Sequence, residues 1–353
     1  MLAPAGTSTR GRRDLRDAAE EEYRAAVANA ACAGEASDGP PGPLEGLIPM
    51  IRIGITAAVS FEGKRGCHHG NAFCSMFNGW DKERAQELGY PTGGAGDIRV
   101  EGGRVVSIYD PDREAAEMMA EIYGIDEVAD SPEGLTEGTD AVLVADSGEC
   151  AKAEWAIPAL EKGMPTFIDK PLAETAEEAR RIVDIAAEHN APLMSCSSFR
   201  WCDGAWEMRE ALARLGKVEL FVGVAGQGRF HIYAIHPTEF AYGILGPGTV
   251  SVANVGSEDR DVVRLRRRDG AQVVLNMYWG QVISGGQMFT ACGTGGWHTV
   301  TKLGALYDPM LEAFLTMCRT GQMPISGDEM VEVIAVVDAA RRSREQDGAE
   351  IEI

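Results

Sequence analysis

The chain has no excess of positive charge, no paired-cysteine motif, no long apolar run and no internal repeat. Lys and Arg number 33 against 54 Asp and Glu, a formal net charge of -21. So acidic a surface argues against nucleic acid or an anionic membrane as partner. The eight cysteines (Cys32, Cys67, Cys74, Cys150, Cys196, Cys202, Cys292, Cys318) contain no CxxC spacing. They fit neither a zinc ribbon nor a disulfide framework, and read as reduced thiols of a cytoplasmic protein. No apolar run is long enough to cross a bilayer. Basic residues from Arg10 to Arg16 have no apolar core behind them, so they do not form a secretory signal.

What is present is a globular composition, 45% hydrophobic over 353 residues, which suggests two domains. Residues 1–48 read as an extension, flexible or helical, ending in a Gly/Pro-rich linker over 34–46. Residues 49–197 alternate short apolar strands with helices: strands at 51–58, 104–109, 141–145, 166–168 and 192–196, helices at 67–78, 113–123, 151–162 and from 175 to about 189. Residues 81–103 read as a Gly-rich polar insertion. This alternation predicts an α/β fold with a Rossmann-like, doubly wound parallel sheet. Residues 198–353 change character. A helix near 205–215 precedes β-rich runs at 218–228, 250–255, 262–267, 271–279 and 285–293, with Asp269-Gly270 as a hairpin signal. Helices at 308–319 and 327–344 close the chain. The expectation is an α+β substrate and oligomerisation domain on a mostly antiparallel sheet. An apolar outer face on that sheet would form a homodimer or higher homo-oligomer.

The chemistry centres on Thr166-Phe167-Ile168-Asp169-Lys170-Pro171-Leu172. Pro171 cannot donate to a ladder, so Lys170 sits at the carboxyl end of a parallel strand, where open α/β sheets hold ligands. A lysine there can bind a substrate hydroxyl or move its proton; an ordinary surface lysine is the plainer reading. Asp110 ends the second strand, either holding a ribose or capping the next helix. The first strand-to-helix turn lacks G-x-G-x-x-G: Gly54 and Thr56 precede it, and Gly63, Gly66 and Gly70 are out of register. Backbone amides at the helix start near His68 and His69 still offer a pyrophosphate site, with Lys64 and Arg65 to assist. His236 is suited to accept a hydroxyl proton, or is a satisfied buried histidine at a helix start. A metal reading of His68, His69, His231, His236 and Glu239 matches no established ligand spacing, so no metal is expected.

Together these residues resemble the Gfo/Idh/MocA oxidoreductases from about Ile51 onward. Asp169-Lys170-Pro171-Leu172-Ala173 is similar to the family's E-K-P-L-A motif, Asp110-Pro111-Asp112 to its second-strand acid, and His236 falls at its catalytic histidine. Residues 324–343 resemble its closing helix, which packs back on the nucleotide domain. The resemblance implies NAD, with NADP as the other choice, and a small carbohydrate-like substrate such as a sugar, polyol or related alcohol. It implies Lys170, His236 and Tyr233 as catalytic residues, and Gly54, Thr56, His68, His69, Asp110, Asp146 and Lys170 around the cofactor. Two departures stand out: the glycine fingerprint is missing, and the family's aspartate four residues before the histidine is Ile232 here, with His231 or Tyr233 as substitutes. They leave a lyase or epimerase, or a non-catalytic sugar- or partner-binding homologue, as alternatives to a dehydrogenase.

Overall fold

A computed structural model describes residues 49–57, 59, 64–145, 153–226, 233–278 and 286–353. The expected extension 1–48, Asp146, His231 and Ile232 lie outside these residues.

The first strand, β1 (Ile51–Thr56), is buried on both faces from Ile53 onward, as expected of the centre of a parallel sheet. Next in the chain is α1 (His68–Asn78), whose Phe73 and Phe77 enter the core. The span read as a polar insertion contains a two-turn helix, α2 (Lys82–Leu88). Asp81 caps it through Arg84 N, and Gly89 ends it at φ 62°. It buries only Ala85, so its apolar periodicity is too weak to see in the sequence.

Next come β2 (Gly103–Tyr109), α3 (Arg113–Tyr123), the two-residue β3 (Glu127–Val128) and β4 (Ala141–Val144). The helix expected over 151–162 is a 3-10 turn at Ala153–Ala156 followed by α4 (Ile157–Glu161). Pro158 explains the break, since proline is tolerated only in a helix's first turn. Then follow β5 (Thr166–Ile168), α5 (Ala176–Glu188) capped by Thr175, and β6 (Leu193–Met194). The sheet order is β3-β2-β1-β4-β5-β6, with all pairings parallel. The order reverses between β1 and β4, and a crevice opens there outside the strands' carboxyl ends.

A 3-10 turn at Ser198–Arg200 leads to α6 (Asp203–Leu215), β7 (Val218–Gly226) and α7 (Ile235–Leu245). Five more strands follow: β8 (Thr249–Asn254), β9 (Arg260–Arg267), β10 (Gln272–Tyr278), β11 (Met288–Gly293) and β12 (Gly296–Val300). Helices α8 (Tyr307–Thr320) and α9 (Gly327–Glu345) precede a final strand, β13 (Ile351–Glu352). This second sheet runs β12-β11-β7-β10-β9-β8-β13. It is antiparallel except for the parallel pair of β7 and β10. The Asp269-Gly270 turn joins β9 to β10 as expected, with Gly270 at φ 89°. The sequence reading missed β12 and β13, which are short and follow glycine-rich or polar segments.

The closing helix touches both sheets' surroundings. Gly327 packs so near α5 that an added Cβ would lie 2.5 Å from Val183 Cγ1. Met330 Sδ accepts from Ser195 N beyond β6, and Ser343 Oγ accepts from Asn254 N of β8.

α1 approaches β1 as closely as a helix can. A Cβ on Gly70 would lie 2.3 Å from the Ala57 carbonyl oxygen, a backbone atom that cannot give way. Gly70→Ala is therefore expected to lose about 1–3 kcal/mol of stability. Gly96→Ala, which meets nothing within 4 Å, should change stability by less than about 1 kcal/mol. Urea unfolding of both variants checks the pair.

Candidate active site

Asp169 and Lys170 lie immediately beyond β5. Asp169 N donates to Val144 O at 2.9 Å, the last rung of the ladder before Pro171 ends it. Both side chains are buried, Asp169 at 2% and Lys170 at 4% exposure. Asp169 Oδ2 is in short contact with Nδ1 of His69, in the first turn of α1. An ionised carboxylate only accepts, so Nδ1 carries the proton of this contact. The His69 ring is flanked by Phe73 (5.7 Å) and by Tyr307, the first residue of α8 (5.5 Å). Lys170 makes no hydrogen bond or ion pair with any described residue.

His236, the second residue of α7, reaches the cluster from the other side. Its Nδ1 lies 2.6 Å from Ser197 Oγ, and Phe199 (5.0 Å) and Tyr233 (5.5 Å) pack against its ring. Burial, then the Lys170 charge, then His69 hold the His236 imidazole well below the usual histidine range. His68 is lowered by burial, then by His69 and Lys170. The Tyr307 hydroxyl is pushed up by burial, then by Asp169 and Tyr233. Lys170, His68, His69, His236 and Tyr233, five of the residues singled out in the sequence, thus share one electrostatic neighbourhood.

A buried ionic frame holds the His236 side. Arg200 closes the turn that carries Ser197 and Phe199. It donates to Glu239 of α7 at 2.5 Å and to Glu329 of α9 at 2.7 Å. Arg209 donates to the carbonyls of Arg200 and Gly243. Burial and the neighbouring Arg200 lower its pKa to about 10.

At the β1–β2 end, Asp110 is buried and accepts from Val59 N and Asp112 N, both at 3.0 Å. The cap of α3 is Asp112, through Ala115 N, so the capping reading of Asp110 is corrected. Arg65 bonds Asp112 twice (2.7 and 3.0 Å) and Glu114 once. Gly54 lies inside β1, where a Cβ would sit 2.6 Å from the Leu135 carbonyl, so its observed role is packing rather than facing the crevice. Thr56 Oγ1 is buried without a partner at the strand's end.

These residues fit a dinucleotide. α1 starts with no side-chain cap and no acid in its first turn, leaving amides for a pyrophosphate. Gly70 provides the tight helix–strand packing that the third fingerprint glycine provides elsewhere.

Sequence reasoning missed Ser197, Arg200, Asp169 as the partner of His69, and Tyr307. The His69–Asp169 contact spans 100 residues and leaves no local periodicity to read. Among the described residues no group of three or more His, Cys, Asp or Glu is placed to hold a metal.

His236 also makes stability depend on pH. Its folded pKa lies below its unfolded value of about 6.5, so the unfolded chain takes up a proton that the folded chain refuses. The stabilisation is present above pH ~6.5 and is lost as pH falls below it, at about 1.4 kcal/mol per unit for one group. Unfolding free energies measured between pH 7 and 5 should show this slope, and His236→Gln should remove about one proton's share.

Comparison with known proteins agrees with this architecture. A family model described as "Oxidoreductase family, NAD-binding Rossmann fold" matches residues 66–196. Inositol 2-dehydrogenase 2 of Saccharopolyspora erythraea is 30% identical over 171 residues, covering 47% of this chain and 46% of that protein. Inositol 2-dehydrogenase of Paracoccus denitrificans is 31% identical over 147 residues, 39% of this chain and 44% of that one. The chain thus spans about half the length of these curated relatives. A putative myo-inositol dehydrogenase from Sinorhizobium meliloti superposes with a TM-score of 0.68 at 20% identity, covering 86% of this chain and 99% of its own. Myo-inositol dehydrogenase from Lactobacillus casei, solved with NAD(H) and myo-inositol, gives 0.69 at 16%, covering 86% and 97%. With its parallel sheet and its Asp169-Lys170-Pro171 strand end, the chain is similar to the Gfo/Idh/MocA oxidoreductases over residues 66–196.

Proposed function

We propose that this protein is an NAD-dependent oxidoreductase acting on a polyol or related alcohol. One observation carries the reading: the Lys170 ammonium is 4% exposed, has no hydrogen-bond or ion-pair partner among the described residues, and stands in the same cluster as His236. A buried ammonium without a partner is costly, and a ligand oxygen in the crevice supplies one. Bound NAD would supply the hydride acceptor. Lys170 bonds the reacting oxygen, and His236, held through Nδ1 by Ser197, offers its other nitrogen to the hydroxyl proton. Tyr233 flanks His236 and closes that side against water. Asp110 faces the adenosine ribose, and the start of α1 with His68 and His69 faces the pyrophosphate.

The inositol dehydrogenase relatives support a cyclic polyol as substrate class. Retention of Lys170 and His236 favours this over a binding-only homologue. Buried thiols at Cys74, Cys196 and Cys202 suit a reducing, cytoplasmic location. No described helix is long and apolar enough to cross a membrane.

NAD is expected to bind at least roughly tenfold tighter than NADP, a difference of about 1.4 kcal/mol. Asp110 opposes a 2′-phosphate, and the nearby cations are already committed: Arg65 to Asp112 and Glu114, Arg113 to Glu117 and Asp130. Tryptophan-fluorescence titration with both cofactors tests this. Lys170→Met, which keeps the aliphatic stem, should lower turnover of a polyol by roughly 10²–10⁴-fold with folding intact. Loss of stability with turnover retained would sink the catalytic reading.

The assembly we propose is a homodimer through the outer face of the second sheet. Leu220, Val222 and Val224 of β7 alternate with buried Phe221 and lie beside Val274 of β10. Trp297 of β12 stands 70% exposed and Met288 of β11 39% at the edge of this face. Light scattering should give twice the chain mass, and Val222→Asp with Val274→Asp should give the monomer. A monomer mass for the unaltered protein at micromolar concentration would refute the assembly.

A further inference from the structure

Asp169 and Lys170 are adjacent in the chain, both nearly fully buried, and of opposite charge. Two such groups taken out of water attract strongly wherever their side chains can meet. Here they do not pair. The Asp169 carboxylate is engaged by His69 Nδ1, while Lys170 has no hydrogen bond or ion pair among the described residues. His69 is itself fixed from both sides, by Phe73 on its own helix and by Tyr307 of α8. Tyr307 also packs edge-on against Phe73 at 5.6 Å, so the imidazole has little room to swing away. The helix that carries it is pinned to β1 by the glycine contact at Gly70.

We propose that His69 is a positioning residue: by holding the Asp169 carboxylate, it keeps the Lys170 ammonium free for a ligand oxygen. The proposal rests on the reading of Lys170 as the group that bonds the reacting oxygen. It assigns His69 a role through Asp169 rather than a direct contact with substrate. Any residue that presents an N–H to Asp169 from the same place should serve. A residue that fills the space without an N–H should let the carboxylate turn to Lys170.

Two substitutions separate these cases. His69→Phe keeps the ring volume against Phe73 and Tyr307 but has no donor; His69→Asn keeps a donor near the position of Nδ1. Crystal structures of both variants provide a readout independent of turnover. In His69→Phe, Lys170 Nζ should lie within about 4 Å of an Asp169 oxygen, the ion-pair distance; in His69→Asn it should not. Steady-state kinetics with NAD and a polyol form the second readout. At saturating NAD, His69→Phe should lower kcat roughly 10²-fold, the usual scale for a displaced catalytic group, with the KM for the polyol close to that of the unaltered protein. His69→Asn should recover most of that loss. Adding Asp169→Asn to His69→Phe should also raise kcat, because it removes the competing carboxylate. A His69→Phe crystal with Lys170 still unpaired overturns the proposal, as does a double variant no faster than His69→Phe alone. If the unaltered protein turns over no polyol, the oxidoreductase reading fails, while the crystallographic comparison still decides whether His69 keeps the two charges apart.

Discussion

An ammonium buried without a counter-ion among the described residues is the constraint around which this structure is arranged. Desolvating a lysine costs several kcal/mol unless something in the fold or a ligand offsets it. Lys170 meets that condition because β5 ends at Pro171, because the sheet order reverses nearby, and because its neighbouring carboxylate is held elsewhere. The cost falls beside a densely packed part of the molecule: Phe167 of β5 packs its ring against Phe73 and Phe314, all fully buried. A rigid apolar floor lets a single polar group be held in an unfavourable state.

The opposite wall is held by charges rather than by apolar packing. Arg200 bonds one acid from α7 and one from α9, and it sits three residues after the serine that fixes His236. Removing one member of such a group leaves an uncompensated buried charge, which costs far more than the group contributes when intact. The frame therefore specifies one arrangement of α7, α9 and the Ser198–Arg200 turn more than it adds net stability. Arg200 Nη2 and Arg209 Nη1 are buried without hydrogen-bond partners among the described residues.

Much of the fold was legible in the sequence because its strands are short, apolar and separated by glycine stops. Gly124 ends α3 in the left-handed conformation that its position predicted, and Thr175 caps α5. Lys170 and His236 were found because each sits beside a proline at the end or start of an element, a local signal. What the sequence hid was long-range. The pairing of His69 with Asp169, of Ser197 with His236 and of Arg200 with Glu329 joins residues 39 to 129 positions apart. The missing fingerprint glycines also obscured Gly70, whose close approach to Ala57 becomes visible only once helix and strand are in place. Short elements such as α2 and β12 were lost because too few of their residues are buried to impose a period.

The position of α9 bears on the order in which the molecule is made. This helix is nearly the last element in the chain, yet its Glu329 completes the ionic frame and its Met330 contacts the segment after β6. A chain emerging from the ribosome has both sheets' strands outside, β13 aside, before α9 appears. Until then Arg200 faces Glu239 with its second acid missing, and the floor beside α5 is uncovered. Domains of this size generally fold as units during synthesis, first part first. Here the candidate site is finished only once α9 has joined it, so a chain terminated before Glu329 carries all the residues of the cluster without the clamp that orders them.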